Sequence, residues 1–257
     1  NWNNIKYNSH WETQLNDLNK NEIIIIDAMA WFELKEKSQL KLAKHKKLWI
    51  IVHHLPYFDH KKTLKSKLDK NLISLNLATN WIVPSKMLKD LINSHLNNQS
   101  GYVIEPGTQK TVSNTSKNYL NLLSVSHVIP RKGHDNLLKS LAKLKQFNWK
   151  LRIVGSLTSD KNWVNYIKKL CKELSIENRV KFTGLCDEKK LSVHYNWAGL
   201  LIHSAHFEAY GMVLTEALSK NIPIISTTAG AILNLKSKAI IKANKNTLHK
   251  KIELWFK

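Results

Sequence analysis

Sulfur chemistry has little to work with in this sequence. Of 257 residues only two are cysteine, Cys171 and Cys186, on segments that read as a helix and a loop. Their spacing fits neither a metal-ligand set nor a disulfide framework, which points to a reducing cytoplasm. Long apolar runs are missing too: none approaches the roughly 18 residues of a membrane-spanning helix, and no signal peptide is visible. The chain reads as soluble, or at most bound to a membrane surface. Acidic residues are the third shortage, with 19 Asp and Glu against 40 Lys and Arg, a formal charge of +21. Such an excess favours anionic partners: nucleic acid, an anionic membrane surface or phosphorylated substrates. The lysines are scattered along a chain also rich in Asn and Ile, as compositional drift would leave them. No nucleic-acid-binding motif or basic–aromatic cluster accompanies them, so no specific nucleic acid is expected as a partner.

What is present is a globular composition, 43% hydrophobic and 9% aromatic, in which apolar runs alternate with amphipathic ones. Strands are predicted at Ile23–Asp27, Leu48–Val52, Trp81–Val83 and Tyr102–Ile104. Between them come helices over Glu33–Lys47 and Lys86–His95, the latter capped by Pro84-Ser85, and a long amphipathic segment at about Lys61–Thr79; the stretch around Trp11–Leu18 also admits a short helix. Residues 107–118, polar and aperiodic, read as a linker. A second alternating set follows, with strands at Tyr119–Val125, Trp149–Val154, Arg179–Phe182 and Gly199–Ile202. Helices are predicted over Gly133–Phe147, Asp160–Leu174 and, capped by Asp187, to about Asn196. Ala239–Ile241 and Asn246–Phe256 close the chain as strand and helix. The reading is α/β, with two Rossmann-like domains at 1–106 and 119–257 joined by the linker. In open parallel sheets ligands lie at the carboxyl ends of strands, where Asp27 and His53-His54 fall.

The most informative stretch is His206–Ala231. Glu208 and Glu216 stand eight residues apart, separated by Tyr210-Gly211 and the helical apolar set Met212, Val213, Leu214, Ala217 and Leu218. Pro223-Ile224-Ile225 then reads as a buried strand, followed by Ala229-Gly230-Ala231. A glycine at the mouth of a helix lets a ligand approach the backbone, and the helix N-terminus offers unpaired N–H groups to an anion. Glu208 before the helix and Glu216 inside it are placed to hold hydroxyls on either side of a bound diphosphate. Upstream, Pro130-Arg131-Lys132-Gly133-His134 puts two cations on a strand-to-helix loop, which suits a diphosphate leaving group. Taken singly, each feature also fits an ordinary surface; their register together makes the case.

These residues resemble the retaining family-4 type glycosyltransferases, glycosyl transferases group 1, which have the GT-B fold of two Rossmann-like domains facing across a cleft. The resemblance covers about residues 23–235. The E-x7-E motif corresponds to Glu208, implied to contact the donor sugar, and Glu216, implied to hold the nucleotide ribose. The Lys-Gly element gives Lys132 as the phosphate-neutralising residue, with Arg131 as helper; the family's Gly-Arg just upstream reads Ser126-His127 here. Gly155-Ser156 and Phe182-Thr183-Gly184-Leu185 match the strand-end loops around the nucleotide base, and Tyr210, Gly211, Met212 and Val213 the helix mouth at the phosphates. His53 or His54 matches the acceptor-domain histidine near the donor sugar, and Pro106-Gly107 the interdomain hinge. The implied activity is retaining transfer of a hexose from a nucleotide-diphosphate sugar to a hydroxyl acceptor, a glycan or a lipid-linked one. It needs no cofactor and no metal, in the cytoplasm or at the inner face of the membrane through peripheral contact. No Gly-rich loop precedes residue 23 and residue 1 is Asn, so the N-terminal domain is expected to be incomplete. The alternative reading is therefore a catalytically impaired remnant that binds a nucleotide or a partner; a basic nucleic-acid-binding protein is the third.

Overall fold

The computed structural model describes residues 22–44, 47–53, 55, 70–96, 101–108, 118–227 and 237–257. The expected helix at Trp11–Leu18, His54, most of the 107–118 linker and Ala229-Gly230-Ala231 lie outside the described residues. The chain divides into two compact units, Asn1–Glu105 and Pro106–Lys257. Among the described residues no helix is long and apolar enough to cross a membrane.

The first unit carries a parallel sheet of β1 (Ile24–Asp27), β2 (Leu48–Ile51), β3 (Asn80–Val83) and β4 (Gly101–Val103), in that spatial order. Leu48, Ile50, Trp81 and Val83 supply its buried positions, joined by Trp31, Leu42, Leu88 and Ile92 from the helices. A helix that was not expected, α1 (Ala28–Glu33), follows β1, and the helix expected over Glu33–Lys47 is the shorter α2 (Glu36–Ala43). Asp27 starts α1 directly at the strand end, its Oδ1 accepting the Met29 N–H at 2.8 Å as an N-cap. The break at Leu34 lets the fully buried Trp31 satisfy its polar atoms. Its indole N–H donates to Ser74 Oγ (2.9 Å), and its carbonyl accepts from Leu34 N and from Gln39 Nε2 (2.8 Å). Residues 70–74 are helical and continue into a 3₁₀ turn at Leu75–Leu77; α3 spans Lys86–Asn93 with Ser85 as N-cap, as its Pro-Ser lead-in predicts.

The second unit is a doubly wound sheet. Its strands are β5 (Asn121–Val125), β6 (Lys150–Val154), β7 (Val180–Gly184), β8 (Leu200–His203), β9 (Ile224–Thr227) and β10 (Ile240–Ala243). All pair in parallel, in the order β10-β9-β8-β5-β6-β7. Alternate strand residues point to opposite faces. Leu122, Leu200 and Ile202 meet α4 (His134–Ala142), α5 (Lys161–Glu173) and α8 (Leu248–Phe256). Leu123, Leu201 and Ile224 meet α6 (Glu188–Trp197) and α7 (Met212–Ser219) on the other face. That two-sided burial is why these strands read as continuous apolar runs.

One helix is shorter than its periodicity suggested. The Gly133–Phe147 segment is preceded by a 3₁₀ turn at Pro130–Lys132, and α4 within it starts at His134 and ends at Ala142. The carbonyls freed beyond it are taken by side chains: Trp149 Nε1 donates to Leu144 O (3.0 Å), and Arg179 donates to Phe147 O and Lys145 O. The Arg179 guanidinium also lies 5.3 Å from the Trp149 ring centre, so one cation–aromatic pair holds the unwound turn.

Candidate functional site

In the second unit the strand order reverses between β5 and β8, so their following segments run to opposite faces of the sheet. The crevice opened there, at the carboxyl ends of the strands, is where doubly wound sheets bind ligands. The loop after β5 carries Arg131 and Lys132; the loop after β8 carries Glu208. Four hydrogen bonds tie the two loops together. His206 N donates to Arg131 O (2.8 Å), Ser204 Oγ to Lys132 O (2.9 Å), Arg131 Nη1 to Phe207 O (3.2 Å) and Lys132 Nζ to Glu208 Oε2 (2.7 Å). From β9, Thr227 Oγ1 donates to Ala205 O at 2.6 Å and pins the second loop from below.

Gly133 makes this closeness geometrically attainable. Its φ is +64°, and a Cβ there would stand 2.2 Å from the Ser204 carbonyl oxygen. No other residue fits without moving the backbone. Gly155, at the end of β6, plays the same part for the neighbouring loop: a Cβ would lie 2.1 Å from Ser126 O. Its N–H donates to Gly184 O (3.0 Å), which joins the ends of β6 and β7. The Ser156 hydroxyl beside it accepts from Thr158 N and Ser159 N at 3.2 Å, fixing the turn. Leu185 follows with 70% of its surface exposed.

The electrostatics are concentrated on one oxygen. Glu208 Oε2 faces Lys132 Nζ and also lies 3.4 Å from Nε2 of His203, itself only 4% exposed and the last residue of β8. That second contact lacks hydrogen-bond alignment, for Nε2 has no hydrogen-bond partner among the described residues. Burial alone would raise the Glu208 pKa. The adjacent His203 ring and Lys132 ammonium outweigh it and hold the carboxyl well below the usual range. Beneath the pair, fully buried His134 has its pKa lowered to about 3 by desolvation, with His203 and Lys132 adding repulsion. Its Nε2 lies 3.2 Å from Ser126 Oγ.

Glu208 leads directly to the mouth of α7. Gly211 caps that helix with φ +96° and, having no side chain, leaves its first N–H groups without a capping bond from the N-cap residue. A Cβ built on Gly211 would sit 3.4 Å from Glu208 Cγ, so the carboxylate's stem passes the opening. Glu216, one and a half turns along, reaches back toward the same turn. Its Oε2 accepts from Tyr195 OH at 2.6 Å, and that hydroxyl is 3.4 Å from Val213 O. Tyr210 OH donates to Pro106 O at 3.3 Å. Met212 is half-exposed at the tip.

Arg131, Lys132, Glu208, Gly211, Met212, Val213 and Glu216 thus gather around one helix N-terminus, with Gly155 and Leu185 on the adjoining strand-end loops. Ser126 and His127, standing where the resemblance has Gly-Arg, bond instead to His134 and to Ser159 Oγ (3.1 Å). His53 belongs to the first unit, where its Nε2 lies 3.6 Å from Asp27 Oδ2. Among the described residues no three His, Cys, Asp or Glu side chains gather as a metal would require. Sequence reasoning missed His134, His203, Ser204, Thr227 and Tyr195. Only His203 carried a local signal, a polar side chain closing the apolar run Leu200-Leu201-Ile202.

Comparison with known proteins places this arrangement. The family profile described as "Glycosyl transferases group 1" matches residues 105–257. A glycosyltransferase of Haemophilus influenzae is 34% identical over 108 residues, 41% of this chain and 29% of that protein. Mannosylfructose-phosphate synthase of Agrobacterium fabrum is 26% identical over 117 residues, 43% of this chain and 26% of that protein. The matched part thus spans less than a third of these curated relatives. Among solved structures, a glycosyltransferase from Rickettsia africae superposes with a TM-score of 0.74 at 19% identity, covering 99% of this chain and 73% of that one. Anabaena HepE in complex with UDP and glucose gives 0.69 at 18% identity, covering 88% and 69%. At such identities the likeness establishes the fold, GT-B with its two Rossmann-like units.

Proposed function

The chain belongs to the glycosyl transferases group 1 family, and from that premise we propose that it transfers a hexose from a nucleotide-diphosphate sugar to a hydroxyl acceptor with retention of configuration. The observation that carries the reading is the partly buried Lys132–Glu208 pair beside the N-terminus of α7. A departing diphosphate needs fixed positive charge, and a sugar needs a carboxylate to orient its hydroxyls; both stand at one switch point. Lys132, Arg131 and the amides of Met212 and Val213 would hold the phosphates. Glu208 would orient the sugar, and Glu216 the ribose. The loops of Gly155 and Leu185 would flank the base, and Tyr210 would steady the turn leading into α7.

The chemistry assigned to these residues is charge stabilisation. As the glycosidic bond breaks, negative charge grows on the diphosphate, and preorganised cations and helix N–H groups meet it without reorganising. Lys132 exchanges Glu208 for phosphate oxygens as the donor enters, which frees Glu208 Oε2 for the sugar while His203 remains beside it. No metal or other cofactor is required by this scheme. His53 or His54 would line the acceptor side, and the acceptor would be a glycan or a lipid-linked hydroxyl in the cytoplasm or at the membrane's inner face.

Calorimetric titration with UDP, GDP and ADP and their sugar conjugates tests the reading. UDP is the first choice, because HepE was solved with it. Saturable binding of one nucleotide, lost in Glu216→Ala, is the expected result; no binding by any of them would overturn the proposal.

A further inference from the structure

Tyr195 was not singled out by sequence, yet it makes the shortest side-chain hydrogen bond to either glutamate of the site. Its ring is 1% exposed and packs among Leu123, Val154, Leu214 and Ile224. The hydroxyl emerges from that apolar layer directly at α7, 2.6 Å from Glu216 Oε2 and 3.4 Å from Val213 O. A phenol has one proton to give, and the carboxylate at 2.6 Å takes it, at the length typical of a charge-assisted O–H···O⁻ bond. Burial, and then the bonded Glu216 carboxylate, push the phenol pKa far up, so the group stays a donor wherever the fold persists.

A glutamate in a helix is otherwise free to sample several rotamers, and ordering it on binding weakens the complex. Here the hydroxyl that holds Glu216 lies 3.4 Å from the Val213 carbonyl, so the carboxylate is drawn back over the first turn of α7, beside the helix mouth. With Oε2 already accepting one proton, its remaining lone pairs can only accept more. A pair of neighbouring hydroxyls satisfies such a group; a ligand that lacks them leaves it unpaired.

Resting on the donor site proposed above, we propose that Tyr195 is a positioning residue that presets Glu216 and thereby makes the site selective for a nucleotide with an intact vicinal diol. The selectivity would then come from α6, an element to which the donor site proposed above assigns no residue.

The test is Tyr195→Phe, which keeps the buried ring and removes only the hydroxyl. Binding is measured for the nucleoside diphosphate that the wild-type chain prefers and for its 2′,3′-dideoxy analogue. The ribonucleotide should bind about tenfold more weakly in the variant, as loss of one charge-assisted bond implies. The dideoxy analogue should change by less than about twofold. In a Glu216→Ala background the Tyr195→Phe change should have no further effect on either ligand. Equal weakening of both ligands would mean a packing role and overturn the proposal, as would an unchanged ratio between them. If the wild-type chain binds none of UDP, GDP or ADP, the donor-site reading fails first and this inference with it.

Discussion

The two units use the same strand–helix alternation, and both put a carboxylate opposite a basic side chain at neighbouring strand ends. In the first unit the described strands follow one another in order, β1 to β4. Asp27 and His53 meet there at 3.6 Å with side chains 47% and 65% exposed. In the second unit the order reverses at β5 and β8, and Lys132 and Glu208 meet at 2.7 Å with side chains only 13% and 15% exposed. Similar residues, placed at a reversal, lose their water and gain a helix mouth beside them. An ion pair near the surface is worth little, whereas a desolvated one binds and stabilises charge. Topology, more than residue type, distinguishes a site from a surface contact.

The sharpest way to break this contrast is Lys132→Ala. Turnover should fall by about 100-fold or more, as removal of a transition-state charge contact does in other enzymes, measured as sugar transfer at saturating donor. A near-normal rate would put the partly buried pair on the same footing as the exposed one. Next is Gly133→Ala, which forces a Cβ into the Ser204 carbonyl at a left-handed φ. It should destabilise the second unit by about 2–3 kcal/mol in urea denaturation; tolerance of alanine would show that the two loops are looser than their bonds imply.

A smaller effect should come from pH. The folded-state pKa of His134 is lowered from 6.5 to about 3, so below pH 6.5 the unfolded chain binds a proton that the folded one refuses. Stability should therefore be constant above that point and decline as pH falls from 6.5 toward 3, by on the order of 2 kcal/mol at pH 5. Denaturation midpoints across that window, compared with His134→Gln, would register it; a flat profile in the wild-type chain would contradict the burial argument. Smallest of all, His53→Ala should change stability by less than about 0.5 kcal/mol, because its partner is exposed and half-hydrated. A larger loss by thermal melting would mean that the first unit's pair is less like a surface contact than it looks.

Much of this was legible in the residues, and the boundary of legibility is physical. Apolar runs mark the strands because each is covered on both faces, and Asp160, Asp187 and Ser85 announce their helices by capping them. The short α1 and its end at Leu34 were hidden because neither glycine nor proline marks that end, and the bond that anchors its Trp31 goes to Ser74, 43 residues on. The cap at Asp27 was readable in principle, but the carboxylate drew attention as a ligand. The resemblance singled out Lys132 and Glu208 separately, one for phosphate and one for sugar; their pairing, across 76 residues, was not in it. What Tyr195 does could not be read locally, since its partner lies 21 residues away and on another helix. Hydrogen bonds between elements leave no period in a sequence.

The cross-tied loops also set an order of events during synthesis. Lys132 and Glu208 are 76 residues apart, as are Arg131 and Phe207. Until the ribosome has released β8 and the segment beyond it, the loop after β5 has no carbonyls or carboxylate to grip, and its cations face water. Contacts of such long sequence separation form late, after the loop-closure entropy between them has been met. At the usual pace of translation, several seconds separate the two halves of the site. A nascent chain in that interval carries an unpaired cationic turn and three of the six strands of the second unit's sheet, with the edge of β5 still open.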